Sequence, residues 1–164
     1  MNPEAYLIRF VAAYIFSGAF ALAYGLQQKK TVALAALGGA LGWLTYDLLQ
    51  VRTGTLMANF YAALVFSFYS ELMARICRKP ASIFLIIALL PLVPGGGIYR
   101  SMAALVEGQN AQAGAHALET LGTAALLALG VVIISSLSRV QAAWRWRRRR
   151  TGRGKPGPAG PLSN

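Results

Sequence analysis

The sequence predicts an all-α integral membrane protein with five transmembrane helices, the fourth of them broken at a proline- and glycine-rich motif. Three observations support this fold class. Hydrophobic residues make up 56% of the 164 residues, and the mean hydropathy is +0.50, above the range of soluble globular domains. The chain divides into apolar stretches of about the 20 residues needed to cross a bilayer. Lys and Arg cluster on alternate connections between these stretches, as in multi-pass membrane proteins.

The predicted helices have short connections between them, and a basic segment follows the last one. They cover residues 6–26, 31–49, 56–75, 82–106 (broken at 91–97) and 116–137. Residues 139–164 form a basic, Gly/Pro-rich tail that we expect to be cytoplasmic and largely disordered. The predicted membrane domain is therefore residues 1–138.

The first helix is preceded by Glu4 and followed by Lys29 and Lys30. This order of charges is the reverse of that around a cleaved signal peptide, so we expect a retained helix with its N-terminus outside. Arg9 lies one turn inside the helix, where it can snorkel to the interface or take a buried role. The sequence favours snorkelling, because Arg9 is so close to the helix end.

The second helix contains Gly38-x-x-x-Gly42, a spacing that lets two membrane helices approach backbone to backbone. Asp47 lies near its outer end, with Arg52 in the connection that follows. The simpler interpretation of Asp47 is a carboxylate at the water boundary. The alternative is a substrate or proton role, because acids inside membrane segments often belong to transport paths.

The third helix carries a polar line at helical spacing, from Asn59 through Ser67 to Glu71. Glu71 can form an i,i+4 salt bridge with Arg75 at the boundary, or it can act in a proton relay. Glu71 and Asp47 are the candidate residues for proton coupling.

The fourth helix is interrupted by the segment PLVPGGGIYR. Proline removes a backbone donor and clashes with the preceding turn, and glycine lowers the cost of leaving helical dihedrals. Broken backbone is tolerated in hydrocarbon only where protein or a water-filled cavity satisfies its polar groups. A helix that restarts after the glycines directs free N–H groups and its positive dipole end at a carboxylate or phosphate. The alternative is a simple kink satisfied by neighbouring helices. The candidate substrate-binding residues are Pro91, Pro94, Gly95, Gly96, Gly97, Tyr99 and Arg100.

The fifth helix places His116, Glu119, Thr120 and Thr123 on one face of its first two turns. A metal role for His116 has little support, because it is the only histidine. A hydrogen bond to Glu119 or exposure at the interface is the favoured alternative.

The distribution of basic residues predicts the orientation of the chain. Lys29 and Lys30, the connection after residue 75 and the tail all fall on one side, so that side is expected to face the cytoplasm. Hence the N-terminus is predicted outside and the C-terminus inside. The net charge of +11 is concentrated in the tail and beside the helices, which favours anionic lipid as its partner over nucleic acid.

The sequence lacks the residue patterns of an enzyme. Cys77 is the only cysteine, so neither an internal disulfide nor a thiolate metal site is expected. No catalytic nucleophile arrangement, HExxH motif or P-loop is present. We expect no catalytic residues, no metal and no cofactor.

The motif K-P, an aliphatic run and then P-L-V-P-G-x-x-x-Y resembles the threonine/serine exporter (ThrE) family, in particular its small-subunit, YjjB-like members. The residues that carry the resemblance are Lys79, Pro80, Pro91, Pro94, Gly95 and Tyr99. The likeness spans roughly residues 38–137. It implies export of small carboxylates, threonine and serine or succinate-like dicarboxylates, together with a larger YjjP-like membrane subunit. It also implies a multi-pass protein of the bacterial inner (plasma) membrane.

One broken helix among five is half of the inverted-repeat arrangement in which two such elements face each other across a site. The sequence therefore predicts a partner, either the larger subunit or a second copy in a homo-oligomer. The leading hypothesis is the small subunit of a secondary exporter. The alternative is a non-transporting membrane scaffold or assembly protein, in which the glycines and the break serve helix packing.

Overall fold

The computed structural model describes residues 3–151, with side chains for residues 4–139. Every regular element in this range is helical, which confirms the all-α prediction for the described part of the chain. The helices are α1 (Pro3–Ala23), α2 (Lys29–Cys77), α3 (Ala81–Leu89), a 3₁₀ turn (Leu90–Leu92), α4 (Gly95–Val106) and α5 (Asn110–Thr151).

Three of these helices, α1, α2 and α5, are long and apolar enough to cross a membrane. A fourth such segment is obtained if α3, the 3₁₀ turn and α4 count as one span, which bends by 45° at the break. With its 49 residues, α2 would be about 73 Å long if it were straight. That length far exceeds the hydrocarbon thickness of roughly 30 Å.

Helix α2 is in fact folded back on itself at Gly54, where the backbone takes φ 78° and ψ 166°. Glycine adopts such a positive φ without a steric penalty. The Tyr69 hydroxyl donates a hydrogen bond of 2.9 Å to the carbonyl of Leu34, although a straight helix would hold these residues about 50 Å apart. The first arm (residues 29–53) and the second arm (residues 55–77) thus pack side by side, and they correspond to the second and third predicted helices.

The α2 hairpin is the centre of the bundle, since α1, α3 and α5 all pack against it, whereas α4 packs on α5. Two buried clusters fill the interior, and most of their members are alanines. Small residues let membrane helices approach closely, so packing of their backbones replaces the large side chains of a soluble core. The clusters are Ala21, Ala35, Ala74, Phe84 and Ile87, and Ala62, Ala63, Phe66, Ala88, Leu92 and Leu127.

The Gly38-x-x-x-Gly42 motif packs against side chains instead of the predicted neighbouring backbone. A Cβ added to Gly38 would lie 3.1 Å from the Tyr69 ring, and one added to Gly42 would lie 2.9 Å from Leu92 Cδ1. An approach to a neighbouring backbone occurs instead at Gly130 of α5, where an added Cβ would lie 3.1 Å from the backbone carbonyl oxygen of Phe60.

The break in the fourth predicted helix is shorter than the expected residues 91–97. The 3₁₀ turn ends at Leu92, only Val93 and Pro94 lie outside helical segments, and α4 begins at Gly95. The three glycines form the first turn of α4, because Pro94 stops the preceding helix and the glycines then adopt ordinary helical dihedrals. Proline just before a first turn costs no helical hydrogen bond.

Helix α5 begins at Asn110, six residues before the predicted start at 116, so the polar connection before it shortens to residues 107–109. At its other end α5 continues to Thr151, so the first part of the basic tail is helical. The rest of the tail, residues 152–164, lies outside the described residues, as do the tail side chains expected to contact lipid.

Candidate substrate site at the helix break

A cavity of about 260 Å³, the bend cavity, opens where α3 gives way to α4. It is formed by the break itself, by both arms of α2 near their turn, and by the first turns of α5. Its lining consists of Trp43, Tyr46, Thr55, Asn59, Pro91, Leu92, Val93, Pro94, Gly96, Gly97, Arg100, His116, Glu119, Thr120 and Thr123.

Two polar faces that the sequence shows separately meet in this cavity. The polar face of α5 brings His116 and Glu119, and the polar line of the second α2 arm brings Asn59, which is 4% exposed. The hydroxyls of Thr120 and Thr123 donate to carbonyls of their own helix, at 2.6 and 2.9 Å. These two threonines therefore offer acceptor capacity to a ligand, while their protons are already engaged.

Five of the seven predicted binding residues line the bend cavity: Pro91, Pro94, Gly96, Gly97 and Arg100. The remaining two, Gly95 and Tyr99, are not part of the lining, and Tyr99 is 74% exposed. Successive residues of a helix point about 100° apart, which explains why Arg100 lines the cavity and its neighbour Tyr99 does not.

The break satisfies most of its own amides. Gly95 N–H donates to the carbonyl of Val93 at 2.7 Å, and the N–H groups of Gly97 and Ile98 donate to the carbonyl of Pro94 at 3.1 and 3.3 Å. Three of the amides that the sequence leaves free for a ligand are therefore already engaged at the break. Gly96, which lines the cavity, lies in the first turn of α4 at the positive end of its dipole.

Opposite charges face the same space without neutralising each other. Arg100 and Glu119 both line the bend cavity, and within the described part of the chain they form no ion pair at 4.0 Å or less. His116 is half-buried beside them. The cavity therefore offers a cation, an anion and the positive end of α4 to a small molecule that carries both charges.

The Arg9 side chain pairs with Asp47 instead of snorkelling free, at 3.2 Å between Nη1 and Oδ1. The same Oδ1 accepts a hydrogen bond of 3.0 Å from Gln50, and Oδ2 is buried without a partner. Asp47 is 2% exposed, so it is not the boundary carboxylate beside Arg52 that its position suggests. The sequence misses this pair because its members are 38 residues apart and lie on different helices.

The Arg9 side chain also lines a second cavity, of about 400 Å³, between α1 and the break. This cavity and the bend cavity share Trp43, Pro91 and Val93 as lining residues. The shared residues form a thin wall, so the ion pair lies close to the candidate site without being part of its lining.

Glu71 lies at the opposite end of the bundle from the break. It lines a hollow of about 260 Å³, here called the Glu71 hollow, with Arg75 and Ser138 as its other polar residues and Phe68, Leu72, Ile134 and Leu137 as its apolar ones. The expected i,i+4 salt bridge between Glu71 and Arg75 is not formed within 4.0 Å in the described structure.

The lining contributed by Trp43, Tyr46 and Thr55 is not evident in the sequence. The two aromatic residues are of the type and in the position expected of interfacial anchors, and their role in the site depends on how the α2 hairpin folds over the break.

Within residues 3–151 no group of three or more His, Cys, Asp or Glu side chains could hold a metal ion. Cys77 is a half-buried free thiol.

The family described as "Threonine/Serine exporter, ThrE" matches residues 9–137. The chain belongs to the threonine/serine exporter family. A curated "Threonine/serine exporter" from Corynebacterium glutamicum is 30% identical over 138 residues, which are 84% of this chain and 28% of that protein. The chain thus spans little more than a quarter of the length of this relative. No solved structure matches the chain.

The segment matched by the threonine/serine exporter family contains the complete lining of the bend cavity and the Arg9–Asp47 pair. Together with the apolar helices, membership of this family identifies a membrane protein. Membership of a transporter family also points away from enzymatic activity.

Proposed function

We propose that this chain is the small, YjjB-like subunit of a secondary exporter for small carboxylates, and that the bend cavity is its substrate site. The observation that carries the proposal is that Arg100 and Glu119, which carry opposite charges and do not pair with each other in the described structure, line one cavity at a helix break. Discontinuous helices hold the anionic groups of substrates in many secondary transporters. Here that feature lies within the segment matched by the exporter family.

Threonine and serine suit this lining better than a dicarboxylate does. Their carboxylate would lie against Arg100 and the positive end of α4, and their ammonium group against Glu119. A succinate-like molecule would use Arg100 for one carboxylate but would bring its other negative charge towards Glu119. We therefore place amino acids ahead of dicarboxylates as substrates.

The proposed topology has five spans, with the N-terminus outside and the C-terminus in the cytoplasm of a bacterial cell, in the inner membrane. Counting the two α2 arms separately, and α3 with α4 as one bent span, supports the number five. Each arm of about 23 residues has the length needed to cross roughly 30 Å of hydrocarbon. The Lys and Arg distribution supports the orientation.

The proposed partner is a larger YjjP-like membrane subunit. Most of the length of the curated relative has no counterpart in this chain. In addition, α4 packs only on α5 among the described helices and leaves Met102, Leu105 and Val106 exposed, Val106 at 90%. A partner helix would cover this apolar face, and a homo-oligomer is the second arrangement that would do so. The basic tail, residues 139–164, is proposed to bind anionic lipid.

Proton coupling is proposed to use Asp47 and Glu71. Asp47 is buried with one unpartnered oxygen, and Glu71 lines a hollow at the opposite end of the bundle. Replacing both with their amides, Asp47→Asn and Glu71→Gln, should remove the pH dependence of export. Full pH dependence in the double variant would exclude these two acids.

The proposed site is tested by threonine efflux from preloaded cells in which the wild-type chain restores export. Arg100→Gln and Glu119→Gln each remove one charge-assisted contact, so efflux at low internal threonine should fall by about tenfold or more. Arg52→Gln is the matched control, because Arg52 is exposed and lines none of the cavities described above. Wild-type efflux from both site variants, at equal amounts of inserted protein, would contradict the proposal.

A non-transporting scaffold or assembly protein is the second candidate. It is supported by the close packing of Gly97 on Thr120, because a glycine in such a position suits a helix contact. In a scaffold, Gly97→Ala would disrupt complex assembly, and Arg100→Gln would have no effect on the flux of any small carboxylate.

A further inference from the structure

The interface between the second arm of α2 and α5, here called the seam, has a hollow at each end. The bend cavity takes Thr55 and Asn59 from the arm and His116 to Thr123 from α5. The Glu71 hollow takes Phe68 to Arg75 from the same arm and Ile134 to Ser138 from the same helix. Both have a volume of about 260 Å³, with room for several waters or one small molecule.

A short contact region separates the two hollows. From Asn59 to Phe68 on the arm, and from Thr123 to Ile134 on α5, the separation along each helix is about 15 Å. The centre of this region is Gly130, where an added Cβ would lie 2.5 Å from the Ala63 Cβ and 3.1 Å from the Phe60 carbonyl oxygen. The closest approach at the barrier is therefore between small residues. The large side chains of Phe66 and Leu127 belong to the same buried cluster as Ala63 and pack beside this contact.

Two buried hydroxyls lie on the second arm between this contact and the far end of the bundle. Ser67 and Ser70 are fully buried, and neither Oγ has a hydrogen-bond partner. Ser67 follows Ala63 by one helical turn and so lies on the same side of the arm. A buried hydroxyl without a hydrogen-bond partner is destabilising and calls for an explanation. The hydroxyls gain partners if water or substrate enters when the seam opens.

The Glu71 hollow repeats the charge pattern of the bend cavity. Each hollow contains one carboxylate and one guanidinium that do not pair with each other within 4.0 Å in the described structure. Glu71 and Arg75 are at the favourable i,i+4 spacing and still remain separate. Both are therefore available for a ligand that carries an ammonium and a carboxylate group.

We infer that the seam is the substrate path, and that the Glu71 hollow is a second binding site for a zwitterionic amino acid, on the side opposite the bend cavity. The identity of the substrate rests on the proposed function, whereas the existence of the path does not. Glu71 would bind the ammonium group and Arg75 the carboxylate. A proton and an ammonium group compete for one carboxylate, so this contact is compatible with the coupling role proposed for Glu71.

The first test closes the seam with a disulfide in a Cys77→Ala background. Ala63→Cys with Gly130→Cys joins the two helices at the barrier, where the Cβ atoms, 2.5 Å apart without adjustment, must separate by about 1 Å to reach the spacing of a disulfide. Gly18→Cys with Ala36→Cys is the matched control between α1 and the first arm. At the control site an added Cβ lies 3.6 Å from the Ala36 Cβ, within the range of disulfides. Oxidation should abolish threonine efflux in the seam variant, reversibly on reduction, and leave the control active. Efflux that continues through a formed seam disulfide would overturn the proposal.

The second test does not measure transport, and it does not depend on whether the double-cysteine variant of the first test folds. Ser67→Cys and Ser17→Cys both replace a fully buried serine with an unpartnered hydroxyl, but Ser17 lies on α1, away from the seam. In membranes, a small cationic methanethiosulfonate reagent should label Ser67→Cys, and threonine should slow this reaction, while Ser17→Cys stays inert. Equal inertness of both cysteines would overturn the path. Labelling without any threonine efflux would support the path and reject the proposed substrate.

The third test addresses the second binding site. Glu71→Gln and Arg75→Gln should each raise the internal threonine concentration needed for half-maximal efflux by about tenfold. Lys30→Gln is the control, since Lys30 is exposed on the same predicted side and lines no cavity described here. An unchanged half-maximal concentration in both hollow variants would reject the Glu71 hollow as a binding site.

Discussion

Replacing Arg9 with glutamine should destabilise the protein far more than replacing Asp47 with asparagine, although both changes break the same ion pair. The reason is the unequal burial of the two side chains, which are 47% and 2% exposed. Without Arg9, the Asp47 carboxylate stays buried with one hydrogen bond from Gln50 and one unpartnered oxygen. Without the Asp47 charge, the half-exposed Arg9 can extend to the membrane surface.

The magnitudes follow from this asymmetry. Leaving one buried charge uncompensated costs about 3–5 kcal/mol, which is the expected loss for Arg9→Gln. Asp47→Asn keeps the shape and removes the charge, so about 1 kcal/mol should be lost, close to one ordinary hydrogen bond. The double variant should be nearly as stable as Asp47→Asn alone, because Asp47→Asn removes the buried charge that Arg9→Gln would leave without a partner.

The assay is a double-mutant cycle on the free energy of unfolding in detergent micelles, followed by tryptophan fluorescence. Arg52→Gln serves as the control and should stay within about 0.5 kcal/mol of wild type. The account requires a strong positive coupling between positions 9 and 47. Additive losses, or an Arg9→Gln variant as stable as Asp47→Asn, would refute the reasoning that Asp47 is a buried carboxylate held by Arg9.

Three further predictions concern packing. Gly130→Ala inserts a methyl group against the second arm of α2 and should destabilise the protein by about 1–3 kcal/mol, whereas Gly114→Ala, with nothing within 4 Å, should stabilise it by about 0.5–1 kcal/mol. Thermal unfolding in detergent measures both changes, and equal effects of the two substitutions would contradict the close contact at Gly130. In the efflux assay, Gly97→Ala should lower export because its methyl group meets α5, whereas Gly95→Ala, in open space, should keep wild-type export. Lower export from Gly95→Ala than from Gly97→Ala would contradict the packing of α4 on α5. Tyr69→Phe should lose about 1 kcal/mol with its hydrogen bond to the first arm of α2, measured as unfolding free energy, and no loss would argue against the hairpin.

Local features of the sequence predicted the helices and their interruption well. Apolar length indicates each helix, and Pro94 places the break correctly, because proline acts through its own ring on the adjacent turn. The extent of the break was less predictable. Three glycines permit non-helical backbone but do not impose it, and they join α4 once its other residues favour a helix.

Contacts between distant helices were not predictable from a single sequence. The polar faces containing Asn59 and Glu119 are both visible as patterns, but their meeting depends on the angle at which α5 crosses the α2 hairpin. The pairing of Arg9 with Asp47 depends in the same way on the register between α1 and the first arm. The nearest charges along the chain point to Arg52 as the neighbour of Asp47 and to Arg75 as the partner of Glu71, and neither contact forms in the described structure.

The central claim is that a cavity at the helix break binds an amino acid by its two charges. The most direct measurement is the release of threonine, serine and succinate into the medium by cells that express the wild-type chain with the proposed larger subunit, compared with the Glu119→Gln variant. The account predicts that the variant loses amino-acid export and keeps or gains succinate export, because Glu119 binds ammonium and repels a second carboxylate. Unchanged threonine and serine export in the variant would contradict it.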